Sequence, residues 1–118
     1  MDLIKLLADA PEASVPAGEW VFAEGQPGDV MYVVKSGRVE VAYDGRALES
    51  VGPGGVLGEM ALVGRTIRSA DAVAQSDCVL LAVDAARFVA LVRAPPEFAL
   101  AVMKAMADRL GRRTAEGG

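Results

Sequence analysis

Arg38-Val39-Glu40-Val41-Ala42-Tyr43-Asp44-Gly45-Arg46-Ala47-Leu48-Glu49-Ser50-Val51 decides the fold. Its first six residues alternate. Val39, Val41 and Tyr43 face one way, and Arg38, Glu40 and Ala42 the other, which is the two-residue period of a half-buried strand. Asp44-Gly45 is a hairpin signal, because both central residues of a type I′ turn need positive φ. Arg46 to Val51 then returns as the partner strand. Working outward, Met31 to Lys35 reads as a strand that Ser36-Gly37 can turn. Trp20-Val21-Phe22 is another, followed by the turn cluster Gly25-Gln26-Pro27-Gly28-Asp29. Downstream, Ala70 to Ala74 and Cys78 to Val83 complete the set. Many short strands at this spacing predict an antiparallel sandwich or roll between Val15 and Val83.

The flanks carry a helical period instead. Leu3, Leu6, Leu7 and Ala10 share one face behind the N-cap candidate Asp2, and Pro11 stops that helix. Asp84 caps a helix to about Arg93. Pro95 and Pro96 break it, and Pro96 suits the first turn of the next. There Phe98, Val102, Ala105, Met106 and Leu110 form an apolar stripe. This helix is expected to end near Arg113, with a frayed tail. The chain reads as one domain over residues 1–118, with its core at about 15–113.

Composition narrows the function. The 118 residues carry a net charge of -4, no histidine and one cysteine. An acidic chain is a poor direct nucleic-acid binder, since phosphate neutralisation needs clustered cations. The basic group Arg109, Arg112 and Arg113 reads as a complement to a helix C-terminus. Without histidine the commonest metal ligand and general base are missing, which disfavours a cupin-like metalloenzyme on a similar roll. No Ser-base or Cys-base pair stands out, so the expectation is a binding module and not an enzyme. Cys78 lies in an apolar run and reads as a buried thiol. With no apolar run long enough for a membrane span and no leader pattern, the reading is cytoplasmic.

One segment departs from what a roll needs. Gly55-Val56-Leu57-Gly58-Glu59-Met60-Ala61-Leu62-Val63-Gly64-Arg65-Thr66-Ile67-Arg68-Ser69-Ala70 breaks the strands with a short helix at about Glu59 to Leu62. A helix start offers unpaired N–H groups, and Gly58 lets a ligand approach them. Arg68 can fork onto two oxygens of a phosphate, and Ser69 adds a hydroxyl. Glu59 beside a phosphate makes sense if it accepts a bond from a sugar hydroxyl. The plainer reading is a surface salt bridge, Glu59 to Arg68, worth ~0–1 kcal/mol; it expects the two to touch when no ligand is bound. Arg65 reads as solvated surface, Trp20 as packing at the roll's edge, and Met60, Met103 and Met106 as core. Gly25, Gly28, Gly37 and Gly45 read as turn residues.

Gly58-Glu59-Met60-Ala61-Leu62 followed by Arg68-Ser69-Ala70 resembles the cyclic nucleotide-binding domain, of the catabolite activator protein and cyclic-AMP-dependent kinase regulatory subunit type. Phe22 to Tyr32 matches that family's first turn and Val33 to Val41 its second, so the resemblance spans Val15 to Arg113. It implies an eight-stranded β-roll with a short N-terminal helix, a phosphate-binding cassette helix and two C-terminal helices. It also implies a ligand set: Arg68, Ser69 and the backbone of Gly58, Met60 and Ala61 on the cyclic phosphate, and Glu59 on the ribose 2′-hydroxyl. Ile67 stands where the family often has proline, and Leu57 where it often has phenylalanine. The closing helix stops short of the family's usual length, so the lid is very short, a partner supplies it, or the chain is an excised domain.

The function so implied is a regulatory sensor that changes conformation or partner contacts on binding. The ligand is cyclic AMP, with cyclic GMP as the alternative, and no cofactor is expected. Ser69 suits adenine, whereas threonine there tends to favour guanine. The expected partners are an unidentified protein effector and a second copy through the last helix. The rival reading is a nucleotide-independent protein-interaction module on the same fold.

Overall fold

The structure, a computed structural model, describes residues 2–64 and 67–117. In order these form α1 (Leu3–Leu6), β1 (Glu12–Val15), β2 (Trp20–Phe22), β3 (Val30–Ser36), β4 (Val39–Tyr43), β5 (Arg46–Val51) and β6 (Val56–Leu57). Then come α2 (Met60–Val63), β7 (Asp71–Ala74), β8 (Cys78–Asp84), α3 (Ala85–Arg93) and α4 (Pro96–Gly117). Arg65, and the side chains of Arg112 and Arg113, lie outside the described residues.

The pairing is nested. β1 pairs with β8, β2 with β7, β3 with β6 and β4 with β5, all antiparallel. The chain is thus one long hairpin with its tip at Asp44 and Gly45, whose φ values of 53° and 76° are those a type I′ turn requires. Lateral pairings of β3 with β8 and β4 with β7 roll the hairpin into two four-stranded sheets, β1-β8-β3-β6 and β2-β7-β4-β5. This is the expected eight-stranded roll. Two of its strands, β1 and β6, went unread in the sequence.

Two cores follow from the layering. Val34, Val39, Val41, Val51, Leu57 and Leu80 fill the space between the sheets. Met31, Val33, Leu81 and Val83 pack on the other side, against Leu3, Leu7, Leu91, Phe98 and Val102 from the helices. β3 and β8 are therefore covered on both faces, which is why they read as continuous apolar runs. β4 has only one face in the core, and so it alternates. The alternation fails at its end. Val41 faces Glu49 but Ala42 faces Ala47, so Leu48 is an extra residue in β5 and the ladder shifts phase. Tyr43, expected inward, is exposed at the end of β4, beside the hairpin tip.

The capping forecasts hold. Asp2 Oδ1 accepts from Ile4 N–H at 3.0 Å, and Asp84 Oδ1 from Arg87 N–H at 2.9 Å. α3 and α4 meet edge to face through Phe88 and Phe98, with ring centroids 5.8 Å apart. α4 runs on to Gly117 instead of fraying after Arg113; Thr114-Ala115-Glu116 contains no helix breaker. Its stripe is also corrected. Phe98 and Val102 are buried and Ala105 and Met106 pack on the core, but Leu110 is exposed. Met103 is 55% exposed instead of being core, and Trp20 stands largely open on the edge strand β2.

Candidate functional site

The candidate site lies between the end of β6 and the start of β7. Gly58, with φ of 72°, turns the chain out of β6, and Glu59 precedes the single turn of α2. Arg68 is held from the opposite side by the turn at 25–28. Its N–H donates to the Gln26 carbonyl at 2.7 Å, and its own carbonyl accepts from Gly25 N–H at 2.9 Å. That turn thus fixes the backbone from which Arg68 reaches into the roll. Phe22, Gly58, Glu59, Met60, Ala61, Arg68 and Ser69 all border one cavity, so the sequence-predicted site residues converge.

Arg68 is 7% exposed. Its guanidinium passes over Gly28 and lies against Phe22, 4.3 Å from the ring centroid. Nη1 donates to the Gly58 carbonyl at 3.3 Å, while the buried Nε has no hydrogen-bond partner among the described residues. Burial pushes this guanidinium below its ordinary value, while Tyr32, Asp29 and Glu59 pull it back up. Arginine stays charged throughout the physiological range. A buried cation with an unsatisfied donor is costly unless an anion joins it. Ala61 N–H also donates to the Gly58 carbonyl, at 3.2 Å. One carbonyl therefore occupies two donors that the sequence assigns to phosphate.

Glu59 is 1% exposed, and its partner is not Arg68. The expected Glu59–Arg68 bridge is not formed. Arg68 is drawn toward Gly28, Phe22 and the Gly58 carbonyl, and Arg109 from α4 takes the carboxylate instead. Arg109 Nη1 donates to Glu59 Oε1, Nε to Glu49 Oε1 and Nη2 to the Val56 carbonyl. Its assignment to the helix C-terminus is thereby corrected. Two signals could have found this arrangement. Arg109 continues the spacing of Phe98, Val102 and Ala105 and so sits where an apolar residue is expected. Glu49 stands opposite inward-facing Val41. The remaining cavity is about 30 Å³, room for no more than a few water molecules.

The cyclic nucleotide-binding domain family matches residues 12–94. This chain belongs to that family. The match takes in Gly58, Glu59, Arg68 and Ser69 and stops short of Arg109. The chain is 39% identical over 83 residues to a cAMP-dependent protein kinase regulatory subunit of Yarrowia lipolytica, covering 70% of this chain and 22% of that protein. It is 35% identical over 86 residues to the cGMP-dependent protein kinase egl-4 of Caenorhabditis elegans, covering 73% and 11%. Among solved structures, the Thermus thermophilus catabolite activator protein matches with a TM-score of 0.72 and 33% identity, over 98% of this chain and 55% of that one. The chain spans about a fifth of the length of the first curated relatives it matches. Among the described residues, no helix is long and apolar enough to cross a membrane, and no cluster of three or more His, Cys, Asp or Glu is placed to hold a metal.

Proposed function

We propose that this domain is a regulatory sensor for a cyclic nucleotide, with cyclic AMP as the preferred ligand. Arg68 and Ser69 take the cyclic phosphate together with the backbone of Gly58, Met60 and Ala61. Glu59 accepts the ribose 2′-hydroxyl. The observation that carries this reading is the buried Arg68 guanidinium with its unpartnered Nε. A phosphate is the ligand class whose oxygens suit a buried guanidinium fork. Two to four charge-assisted bonds at ~1.5–3 kcal/mol each support micromolar affinity. The free, buried Cys78 supports a reducing, cytoplasmic setting.

The test is calorimetry with cyclic AMP and cyclic GMP on the wild type and on Arg68→Ala. The variant should bind at least about tenfold more weakly. No heat with either nucleotide at high micromolar concentration overturns the reading and leaves the interaction-module alternative.

A second copy is the partner we propose. Leu100, Met103, Ala107 and Leu110 are exposed on α4 at steps of three and four residues. That spacing is a heptad seam, on a different face from the stripe that covers the core. An unidentified effector would read the change in α4.

A further inference from the structure

We propose that Phe22 is a positioning residue for the anion. The face of its ring, and not its apolar bulk, keeps the Arg68 guanidinium in the cavity wall and free of carboxylates. This rests on the nucleotide reading and adds a residue that sets the strength of that site.

The case begins with a bulge. Trp20 and Phe22 are two residues apart in β2, so a regular strand would aim both side chains the same way. Trp20 pairs with Val73 and Phe22 with Ala72, so β2 spends one residue more than β7 between the two pairs. Along β7, Ala72 and Ala74 are buried and Val73 is not. Trp20 accordingly stands open beside Val73, while Phe22 packs on the core between the sheets. The irregularity turns one aromatic ring inward, and that ring meets the Arg68 guanidinium at 4.3 Å.

Gly58 makes room for the pair. A Cβ there would lie 2.6 Å from Arg68 Nη1 and 3.2 Å from Phe22 Cε2. Burial works against the charge of Arg68, while Tyr32, Asp29 and Glu59 work for it. Two of these are carboxylates, yet Arg68 is in none of the ion pairs among the described residues. The ring stands in for a carboxylate. Its quadrupole attracts the cation without neutralising it, and more strongly where water is absent. The fork therefore keeps its full charge for an incoming phosphate. An aliphatic side chain would fill the same space without holding the charge. Arg68 would then turn to Asp29 or Glu59 in part of the molecules, and the affinity falls with the fraction still receptive.

Two measurements test this. Calorimetry on Phe22→Leu, which removes the ring face, should give binding of cyclic AMP about tenfold weaker than wild type. Phe22→Tyr returns the face and should recover most of the loss. In NMR the Arg68 Nε–H signal, assigned by its disappearance in Arg68→Lys, should exchange with water at least about tenfold faster in Phe22→Leu than in wild type. Phe22→Tyr should slow it again. Unchanged affinity or unchanged exchange in Phe22→Leu overturns the proposal, and so does a Phe22→Tyr variant as weak as Phe22→Leu. If Phe22→Leu fails to fold, trifluorophenylalanine placed at position 22 decides. It keeps the shape of the ring and drains its face, so wild-type affinity there overturns the proposal. No heat from the wild type with either nucleotide removes the nucleotide reading, and the exchange comparison then decides the positioning role by itself.

Discussion

A Cβ added at Gly28 would lie 2.3 Å from Arg68 Nε and 2.5 Å from its Cζ. No real Cβ makes such contacts, so an alanine there must displace the guanidinium. Gly25 is different: its φ of 87° calls for glycine, but nothing stands within 4 Å of its missing side chain. Gly28→Ala should therefore weaken cyclic AMP binding by at least about tenfold, measured by calorimetry, while far-ultraviolet circular dichroism stays that of the wild type. Binding at wild-type strength would mean that Arg68 is not the anion's ligand in the position described. The contrast shows what a sequence hides. Gly58, Glu59, Arg68 and Ser69 were legible because they form two short strings with a recognisable chemistry. Gly28 already had a sufficient reason in its turn, and so its second task left no trace. Arg109 was hidden because it sits beyond the segment that the family model matches, and its partners come from residues 49, 56 and 59.

α4 presents two apolar faces with different tasks. Phe98 is fully buried against Phe88 and the helix-side core. Phe98→Ala should cost about 3–5 kcal/mol in urea denaturation, the combined loss of transfer energy and packing. Met103 lies on the exposed seam, so Met103→Glu should leave stability within about 0.5 kcal/mol. In sedimentation it should convert a dimeric protein to a monomer. A wild type that sediments as a monomer removes the proposed self-association. Strand legibility followed the same logic of faces. β4, β5 and the run that became β8 announced themselves by alternation or by length of apolar sequence. Glu12-Ala13-Ser14-Val15 did not, because it is an edge strand whose register is set by β8 and not by its own pattern. Val56-Leu57 is only two residues long, too short for any period to show.

At the scale of the molecule, Arg87 and Asp9 tie α3 to the segment after α1, with Nη2 2.7 Å from Oδ1. The hydrogen bond from Arg87, followed by its charge, holds the Asp9 carboxyl below its ordinary value. Its small contribution is therefore present at neutral pH and fades as pH falls through that lowered value. The larger organising fact is the nested pairing of the strands. Only β4 and β5 are joined by a tight turn; every outer pair must close a longer loop, and β1 meets β8 from opposite ends of the roll. Such a topology folds in milliseconds to seconds, and the hairpin tip is the natural place for it to start. Gly45→Ala places a side chain at φ of 76°, at a cost of about 1–2 kcal/mol. Stopped-flow refolding should then slow roughly fivefold with the unfolding rate little changed. Faster unfolding with an unchanged refolding rate would instead place the tip late. The order of closure also dates the pocket. Its contributors run from Val41 beside the hairpin tip, through β6 and both sides of α2, out to β2 and α4, so it is whole only when the outer arms and the last helix have closed. A newly made chain therefore has strands and a turn before its pocket is whole.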